Sequence, residues 1–308
     1  MILFSIPVHE QPDVIVNQVE NFTWFNPDCK IVLHVSGWMS KADVKEMYTK
    51  LSRYRHVFIN DTRLWSGHMD GTQLKMHVVN CLYAQKNNIA YDHFCINASN
   101  DMFVKSGLQD HIGNYDTGNL FRDEAKIHLI QKDWDELAHA KKDPLLKKIM
   151  DKNDLQTIYS SQIEGSFYKK EIMDTMVKWI MEDGYYEIPG IYAHGTHRLN
   201  NRVARNIIYY IIKPTIKGML YGKEEIYFPT LCQNLFSTIL RYNYCYINWE
   251  NGLKISKEEI DLIRCGDTDQ LPYKKFIPYQ EKPPLFCVKR VDRVLNDPIR
   301  QYITSLQS

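Results

Sequence analysis

The first hundred residues alternate between strand-like and helix-like apolar patterns, and this alternation constrains the fold more than any other feature of the chain. The order is strand 2–8, helix 12–22, strand 30–35, helix 40–51, strand 56–59, helix 74–82 and strand 94–98. Such alternation predicts an α/β fold with a mostly parallel sheet covered by helices on both faces. The chain has no internal repeat or linker, so we expect a single domain over residues 1–308 with a C-terminal extension.

Polar residues directly follow three of the predicted strands. They are His9, Ser36 and Asp101. In open parallel sheets, ligands bind beyond the carboxyl ends of the strands. These three side chains are therefore candidates to line a cleft.

Charge and cysteine content exclude several classes of protein. The 308 residues carry 38 Lys+Arg and 37 Asp+Glu, a net charge of +1, which disfavours a nucleic-acid binder. The seven cysteines form no C-x-x-C pair, which argues against a disulfide framework and a zinc cluster. Aromatic residues make up 12% of the chain, which fits either an AT-rich genome or a surface that stacks on sugars.

The N-terminal residues lack the charged region and cleavage site of a signal peptide. No run of eighteen apolar residues could span a bilayer. The apolar stretch 207–220 could touch a membrane surface, although a buried helix is favoured. We therefore expect a cytoplasmic protein, or one at the inner face of the membrane.

The rest of the chain gives a coarser pattern. We expect a charged helix over 133–150 that is interrupted at Asp143, and a strong helix opened by Gly165 and Ser166. Apolar residues recur with helical spacing over 201–221 and 224–240, which predicts two further helices. We expect a strand over 243–249 after them. Ser256 and Glu259 have the spacing of a capping box.

The motifs of several nucleotide and metal enzymes are missing from the sequence. There is no P-loop, no G-x-G-x-x-G and no H-E-x-x-H. Two D-x-D triplets, at 133–135 and 267–269, could hold a divalent ion against a nucleotide diphosphate. Neither follows an apolar strand, so we expect no metal there, and the pair His194 and His197 lacks a nearby third ligand.

Four separated segments together resemble one glycosyltransferase family. They are the block 56–106, which includes the run A-S-N-D-M-F-V-K-S at 98–106; G-S at 165–166; K-E-E-I-Y-F-P-T-L at 223–231; and R-Y-N-Y-C-Y-I-N-W at 241–249 with L-F-C-V-K at 285–289. Their order and spacing are similar to those of the core-2/I-branching N-acetylglucosaminyltransferase and peptide O-xylosyltransferase group, family 14. The match runs over residues 1 to about 295.

This resemblance implies a GT-A-type fold and an inverting, metal-independent transfer from a UDP-sugar to a saccharide acceptor. The expected sugar is GlcNAc first, then xylose or another hexose. Residues 1–110 would form the nucleotide-sugar-binding half, and 111–308 the acceptor and catalytic half. Animal members carry a membrane anchor and paired cysteines, so we expect instead a bacterial enzyme of surface polysaccharide synthesis. Its acceptor could be lipid-linked, with peripheral membrane contact.

The same resemblance assigns the site residues. Glu225 matches the catalytic base, with Glu224 as the adjacent alternative, although a glutamate in a first helical turn also suits the helix dipole. Lys289 and, less securely, Lys254 match the two cations that stabilise the leaving diphosphate.

For the second cation Lys257 and Arg264 compete with Lys254. Asp101 and His9 would lie at the donor, and Trp249 would border the acceptor sugar or else belong to the core. No metal ligand and no cofactor besides the donor are implied.

Two features depart from the family pattern. Ser36 stands where the family has an aspartate that contacts the nucleoside, and residues 114–159 have no counterpart. Two other functions remain open on sequence grounds. One is a metal-dependent nucleotide-sugar enzyme that uses Asp267 and Asp269, and the other is a non-catalytic carbohydrate-binding module.

Overall fold

The computed structural model describes residues 1–65, 71–126, 136–184, 191–192, 221–248, 254–272 and 282–307. The helices are α1 (Pro12–Phe25), α2 (Lys41–Leu51), α3 (Thr72–Lys86), α4 (Leu108–Ile112), α5 (Glu136–Lys141), α6 (Pro144–Lys152), α7 (Lys170–Asp183), α8 (Lys223–Leu231), α9 (Lys257–Cys265) and α10 (Pro298–Ser305). The strands are β1 (Ile2–Val8), β2 (Lys30–Val35), β3 (Val57–Asn60), β4 (Leu64–Trp65), β5 (His93–Ile96), β6 (Met102–Phe103), β7 (Thr117–Lys126), β8 (Thr157–Lys169), β9 (Ile191–Tyr192), β10 (Ile239–Leu240), β11 (Cys245–Tyr246) and β12 (Cys287–Val288).

Seven strands form the main sheet in the order β10-β7-β8-β5-β1-β2-β3. β3, β2, β1 and β5 pair in parallel, as do β10 and β7, whereas β8 is antiparallel to both of its neighbours. Six of the seven strands in this sheet therefore run in one direction. The predicted α/β fold with a mostly parallel sheet is confirmed.

Side chains of β1 alternate between two hydrophobic cores, one on each face of the sheet. Leu3 joins the core that holds α3, α7 and α8, whereas Phe4 and Ile6 join the core that holds α1 and α2. Burial of such a side chain contributes about 1.5–3 kcal/mol. The continuous apolar run of a central strand is thus explained by helices on both faces.

A small sheet in the order β11-β12-β6 packs beside β8. The contact is close at Gly165, where an added Cβ would lie 2.5 Å from the Cβ of Cys245. Gly165 has a φ of +82°, a backbone conformation that favours glycine. The absence of a side chain at Gly165 therefore lets β11 of the small sheet pack closely against β8.

Three sequence expectations change in this half of the chain. The strong helix predicted after Gly165 is present as α7, but its predicted start is wrong, because Gly165 and Ser166 lie inside the 13-residue strand β8 and α7 begins at Lys170. The helix predicted over 224–240 ends at Leu231, and Ile239–Leu240 pair with β7 instead. The strand predicted over 243–249 is limited, in its described part, to Cys245–Tyr246.

Other expectations hold. Asp143 separates α5 from α6 and caps α6, since its side chain accepts from the backbone N–H groups of Leu145 and Leu146. The capping box of Ser256 and Glu259 is present at α9. The predicted helix over 201–221 lies almost entirely outside the described residues. No helix in the described part of the chain is long and apolar enough to cross a membrane.

Candidate functional site

The loop that follows β5 closes on the carboxylate of Asp101. Oδ2 of Asp101 accepts hydrogen bonds from the backbone N–H of Ala98 at 2.7 Å and from Nδ2 of Asn97 at 3.0 Å. Gln18 on α1 fixes the same loop, because its Nε2 donates to the carbonyls of Ala98 (2.8 Å) and Asp101 (2.9 Å). Asp101 is completely buried, and its Oδ1 has no hydrogen-bond partner among the described residues.

Lys289 lies beside Asp101 because β12 and β6 pair in antiparallel register, with Val288 opposite Met102. The ammonium of Lys289 forms an ion pair with the carboxylate of Glu164 on β8. One cation therefore faces two carboxylates at the end of the main sheet. The next residue, Arg290, has a φ of +72°, a backbone conformation that residues other than glycine rarely adopt.

Burial and charge oppose each other in this cluster. Burial raises the pKa of Asp101 to about 7; Lys289 opposes this shift and Glu164 adds to it. Burial alone would lower the pKa of Lys289, but Glu164 and Asp101 together raise it above its ordinary value. Lys289 is thus held as a fixed cation, whereas the Asp101 carboxyl titrates near neutral pH.

Two cysteines share the surroundings of Asp101. Cys245 and Cys287 are register partners on β11 and β12, and one ligand atom from each of these thiols and from Asp101 lies within 4.8 Å of the others. These three groups could hold one thiophilic metal ion. Burial raises the pKa of both thiols, and Lys289 is close enough to influence Cys245 and Asp101. A metal ion would have to displace the thiol protons and tolerate this neighbouring ammonium.

A second charged group lies beyond the ends of β1 and β5. The buried carboxylate of Glu10 accepts from the hydroxyl of Ser99 and pairs with Nε of Arg293 at 2.6 Å. His9 is half-exposed, and its Nδ1 is 3.3 Å from the same carboxylate. This places His9 at the edge of the sheet that the sequence predicts to line a cleft.

Glu225 occupies the first turn of α8 and is half-buried. Its carboxylate folds towards the backbone at the helix start, so that a Cβ added to Gly222 would lie 3.1 Å from Oε2. α8 packs along β8, where the hydroxyl of Thr230 accepts from the backbone N–H of Tyr159 at 3.0 Å. Glu225 therefore lies on the helix that packs against the strand carrying Glu164.

The remaining predicted site residues lie elsewhere or outside the description. Lys254 is exposed and precedes Ser256, the N-cap of α9. Trp249 and the triplet at 133–135 lie outside the described residues, as do His194 and His197. Asp267 and Asp269 are about half-exposed and pair with Lys282.

The structure thus brings Asp101 and Lys289 together and places His9 at the neighbouring strand end. Sequence reasoning missed Glu164, Glu10 and Arg293. Glu10 had a signal, since it directly follows His9 at the end of a predicted strand. Glu164 was missed because the strand β8, which carries it, was not predicted.

Comparison with known proteins gives distant structural similarity only. No known protein family and no curated protein sequence matches the chain. The chain is similar to a nucleoside-diphosphate-sugar pyrophosphorylase from Vibrio cholerae RC9, with TM-score 0.40, 10% identity, and coverage of 79% of this chain and 91% of that one.

Two structures of LgtC are similar to the same degree. An active-site mutant of LgtC has TM-score 0.39 and 10% identity over 99% of this chain and 95% of that one. The galactosyltransferase LgtC in complex with donor and acceptor sugar analogs has TM-score 0.39 and 9% identity over 100% and 95% of the two chains. These TM-scores are too low to support a fold assignment. The assignment therefore rests on the strand order of this chain itself.

Proposed function

We propose that this protein is a glycosyltransferase that uses a UDP-sugar, inverts the anomeric configuration and needs no metal ion. The observation that carries the proposal is the position of Lys289, a fixed cation beside Asp101 at the loop after β5. This loop lies at the carboxyl edge of a parallel sheet, where ligands of such folds bind. The proposed donor sugar is GlcNAc first, then xylose or another hexose, and the acceptor is a saccharide, lipid-linked in surface polysaccharide synthesis.

The proposed reaction is a single in-line displacement. The oxygen of an acceptor hydroxyl attacks the anomeric carbon, while the bond from that carbon to the diphosphate oxygen breaks on the opposite face. Glu225 takes the hydroxyl proton, and UDP leaves with the electron pair of the broken bond. Glu224 is the alternative base, because it shares the first turn of α8.

Lys289 has the electrostatic role in this proposal. Charge develops on the leaving diphosphate, and a cation held in place before the reaction stabilises it without reorganisation. The ion pair with Glu164 and the nearby Asp101 carboxyl keep the ammonium charged in spite of its burial. Trp249, at the end of the segment that follows β11, is proposed to contact the acceptor sugar, and His9 the donor.

Ligand-linked thermal stabilisation tests the nucleotide and the metal together. We expect UDP and UDP-sugars to raise the melting temperature more than GDP-, CMP- or dTDP-sugars, and EDTA to leave the shift unchanged. Stabilisation that requires manganese would instead support the metal-dependent enzyme. Saccharide binding without any nucleotide binding would support the carbohydrate-binding module.

Turnover measurements test the base. We expect Glu225→Gln to lower kcat at least a hundredfold, the usual contribution of a general base, while UDP affinity is retained. Glu224→Gln is the matched control in the same helical turn. Full activity of Glu225→Gln together with a large loss in Glu224→Gln would move the role of base to Glu224.

A further inference from the structure

Two cysteines of the small sheet lie beside the carboxylate of Asp101. The sequence has no C-x-x-C pair, but the parallel register of β11 and β12 makes Cys245 and Cys287 neighbours whose side chains project from the same face. Asp101 directly precedes β6, the other neighbour of β12. One ligand atom from each of the three residues lies within 4.8 Å of the other two, and all three residues are buried.

These three side chains keep ligand atoms available. Oδ2 of Asp101 is held by Ala98 and Asn97, but Oδ1 has no hydrogen-bond partner among the described residues. The contacts of the two thiols are long, with Sγ of Cys245 and Sγ of Cys287 at 4.0 and 3.8 Å from the backbone carbonyl oxygens of the residues that follow them. A buried carboxylate oxygen without a donor is costly, and a cation bound beside it would remove that cost.

The distances suit one metal ion of the size of zinc. An ion at the centre of a triangle with sides of 4.8 Å lies about 2.8 Å from each corner, whereas zinc binds thiolates at about 2.3 Å and carboxylates at about 2.0–2.2 Å. Shifts of roughly 0.5–0.8 Å in each ligand atom therefore complete the bonds, without a change in strand register. Two sulfur ligands favour a thiophilic ion over Mg²⁺, Mn²⁺ or Ca²⁺, which prefer oxygen.

The charges around the three residues balance for a divalent ion. Two thiolates and the Asp101 carboxylate exceed the charge of such an ion by one, and the nearby ammonium of Lys289 offsets this excess. Lys289 is also paired with Glu164, on which Arg290 acts as a further cation. The neighbouring ammonium is therefore compatible with a metal ion, because the ligands supply three negative charges.

We propose that Asp101, Cys245 and Cys287 bind one thiophilic divalent ion of the zinc type, which links the small sheet to the loop after β5. The ion has a structural role and takes no step in the proposed sugar transfer, and this inference does not rest on that transfer. Three protein ligands are one fewer than in a closed structural zinc site, so we expect weaker binding than in a zinc finger. Zinc should raise the melting temperature of the metal-free chain, and EDTA should reverse this without changing the shift that UDP produces.

Cadmium titration of the metal-free full chain, kept reduced with a phosphine, tests the site. Thiolate ligands give bound cadmium a charge-transfer absorption in the ultraviolet, and Cys265→Ser serves as the background because it removes the exposed thiol. We expect one ion per chain. In this background Cys245→Ser, Cys287→Ser and Asp101→Asn should each weaken cadmium binding at least tenfold, since the loss of a group that merely orients a ligand already costs about 10–100-fold.

Cys232→Ser is the matched control, because Cys232 is equally buried but belongs to the core on the other face of the main sheet. Its cadmium affinity should equal that of the background. A charge-transfer band that is absent from the background, or unchanged in both Cys245→Ser and Cys287→Ser, would overturn the inference. X-ray absorption of the zinc-loaded background tests the site without a ligand variant: we expect two sulfur neighbours, and a shell of nitrogen and oxygen alone would overturn the inference as well.

Discussion

Glu164 and Lys289 form an ion pair that ties the long strand β8 to the chain just after β12, with side chains only 15% and 14% exposed. Asp101 lies beside the same ammonium and is more deeply buried. The Lys289 ammonium therefore faces two carboxylates, and Arg290 also acts on Glu164. The stability of this part of the fold and the proposed binding of a diphosphate both rest on Lys289.

Removal of the Lys289 ammonium should destabilise the protein because it breaks the largely buried ion pair with Glu164. We expect Lys289→Met to lower the free energy of unfolding by about 3 kcal/mol, as for other broken buried pairs. The double variant Lys289→Met/Glu164→Gln should regain most of that loss but not UDP affinity. Urea denaturation and UDP titration of the wild type, of Lys289→Met, of Glu164→Gln and of the double variant measure the two effects. Additive losses in the double variant would contradict the coupling.

The pKa of Asp101 predicts how stability depends on pH. Its folded value, about 7, lies above the ordinary value of 3.8, so the folded chain binds more protons than the unfolded chain between these two pH values. This group therefore stabilises the fold below about pH 4 relative to higher pH, and that contribution is lost as pH rises through about 7. The slope is at most about 1.4 kcal/mol per pH unit.

Asp101→Asn provides the control for this slope. The asparagine cannot titrate, so its free energy of unfolding should fall less than that of the wild type between pH 5 and 7. Denaturant titrations at several pH values compare the two proteins. Identical pH profiles would show that another group governs the wild-type slope.

Local apolar patterns were enough to predict the first half of the main sheet. The predicted strands 2–8 and 30–35 match β1 and β2, and the other two differ from β3 and β5 by two residues or fewer at each end. β1, β2 and β5 are almost entirely buried, so their own continuous apolar sequences carry the signal. The position of Asp101 at a strand end follows from the same pattern.

The structure of the second half of the chain depends on contacts between residues that are far apart in the sequence. The end of β8 was predicted as the start of a helix, because Gly165 and Ser166 precede the apolar stripe of α7. Glu164 is recognised as a charged partner only from its ion pair with Lys289, which is 125 residues away in the sequence. In the same way, Glu10 is recognised only from its ion pair with Arg293. The resemblance gave Lys289 its predicted role, but no sequence pattern gave its partners.

Gly165 should tolerate no side chain. Its φ is +82° and an added Cβ would lie 2.5 Å from the Cβ of Cys245, so Gly165→Ala combines backbone strain with overpacking. We expect a loss of about 2–5 kcal/mol in the free energy of unfolding. Gly266→Ala is the matched control, because its φ is +86° but nothing lies within 4 Å of the added Cβ. That variant should lose only about 1–2 kcal/mol, and equal losses would show that the contact with Cys245 is unimportant.

Asp143 should be essential for the stability of the α6–α8 contact. It pairs with Lys223, accepts from the hydroxyls of Tyr221 (2.7 Å) and Tyr227 (3.0 Å), and caps α6. Asp143→Ala leaves the Lys223 ammonium buried without its counter-charge, so we expect a loss of about 3–5 kcal/mol. The control Lys282→Ala breaks exposed pairs with Asp267 and Asp269 and should cost at most about 1 kcal/mol. Urea denaturation of both variants separates these values.

Six of the seven cysteines should be inert in the folded protein. Cys265 is exposed and the others are buried, and burial raises the pKa of the thiols of Cys29 and Cys232 to about 12. Since the thiolate is the reactive form, a disulfide reagent such as DTNB should label one thiol rapidly at pH 8 and all seven after denaturation. Cys265→Ser should remove the rapid phase. Rapid labelling of Cys245 or Cys287 in that variant would mean that the small sheet opens and exposes the surroundings of Asp101.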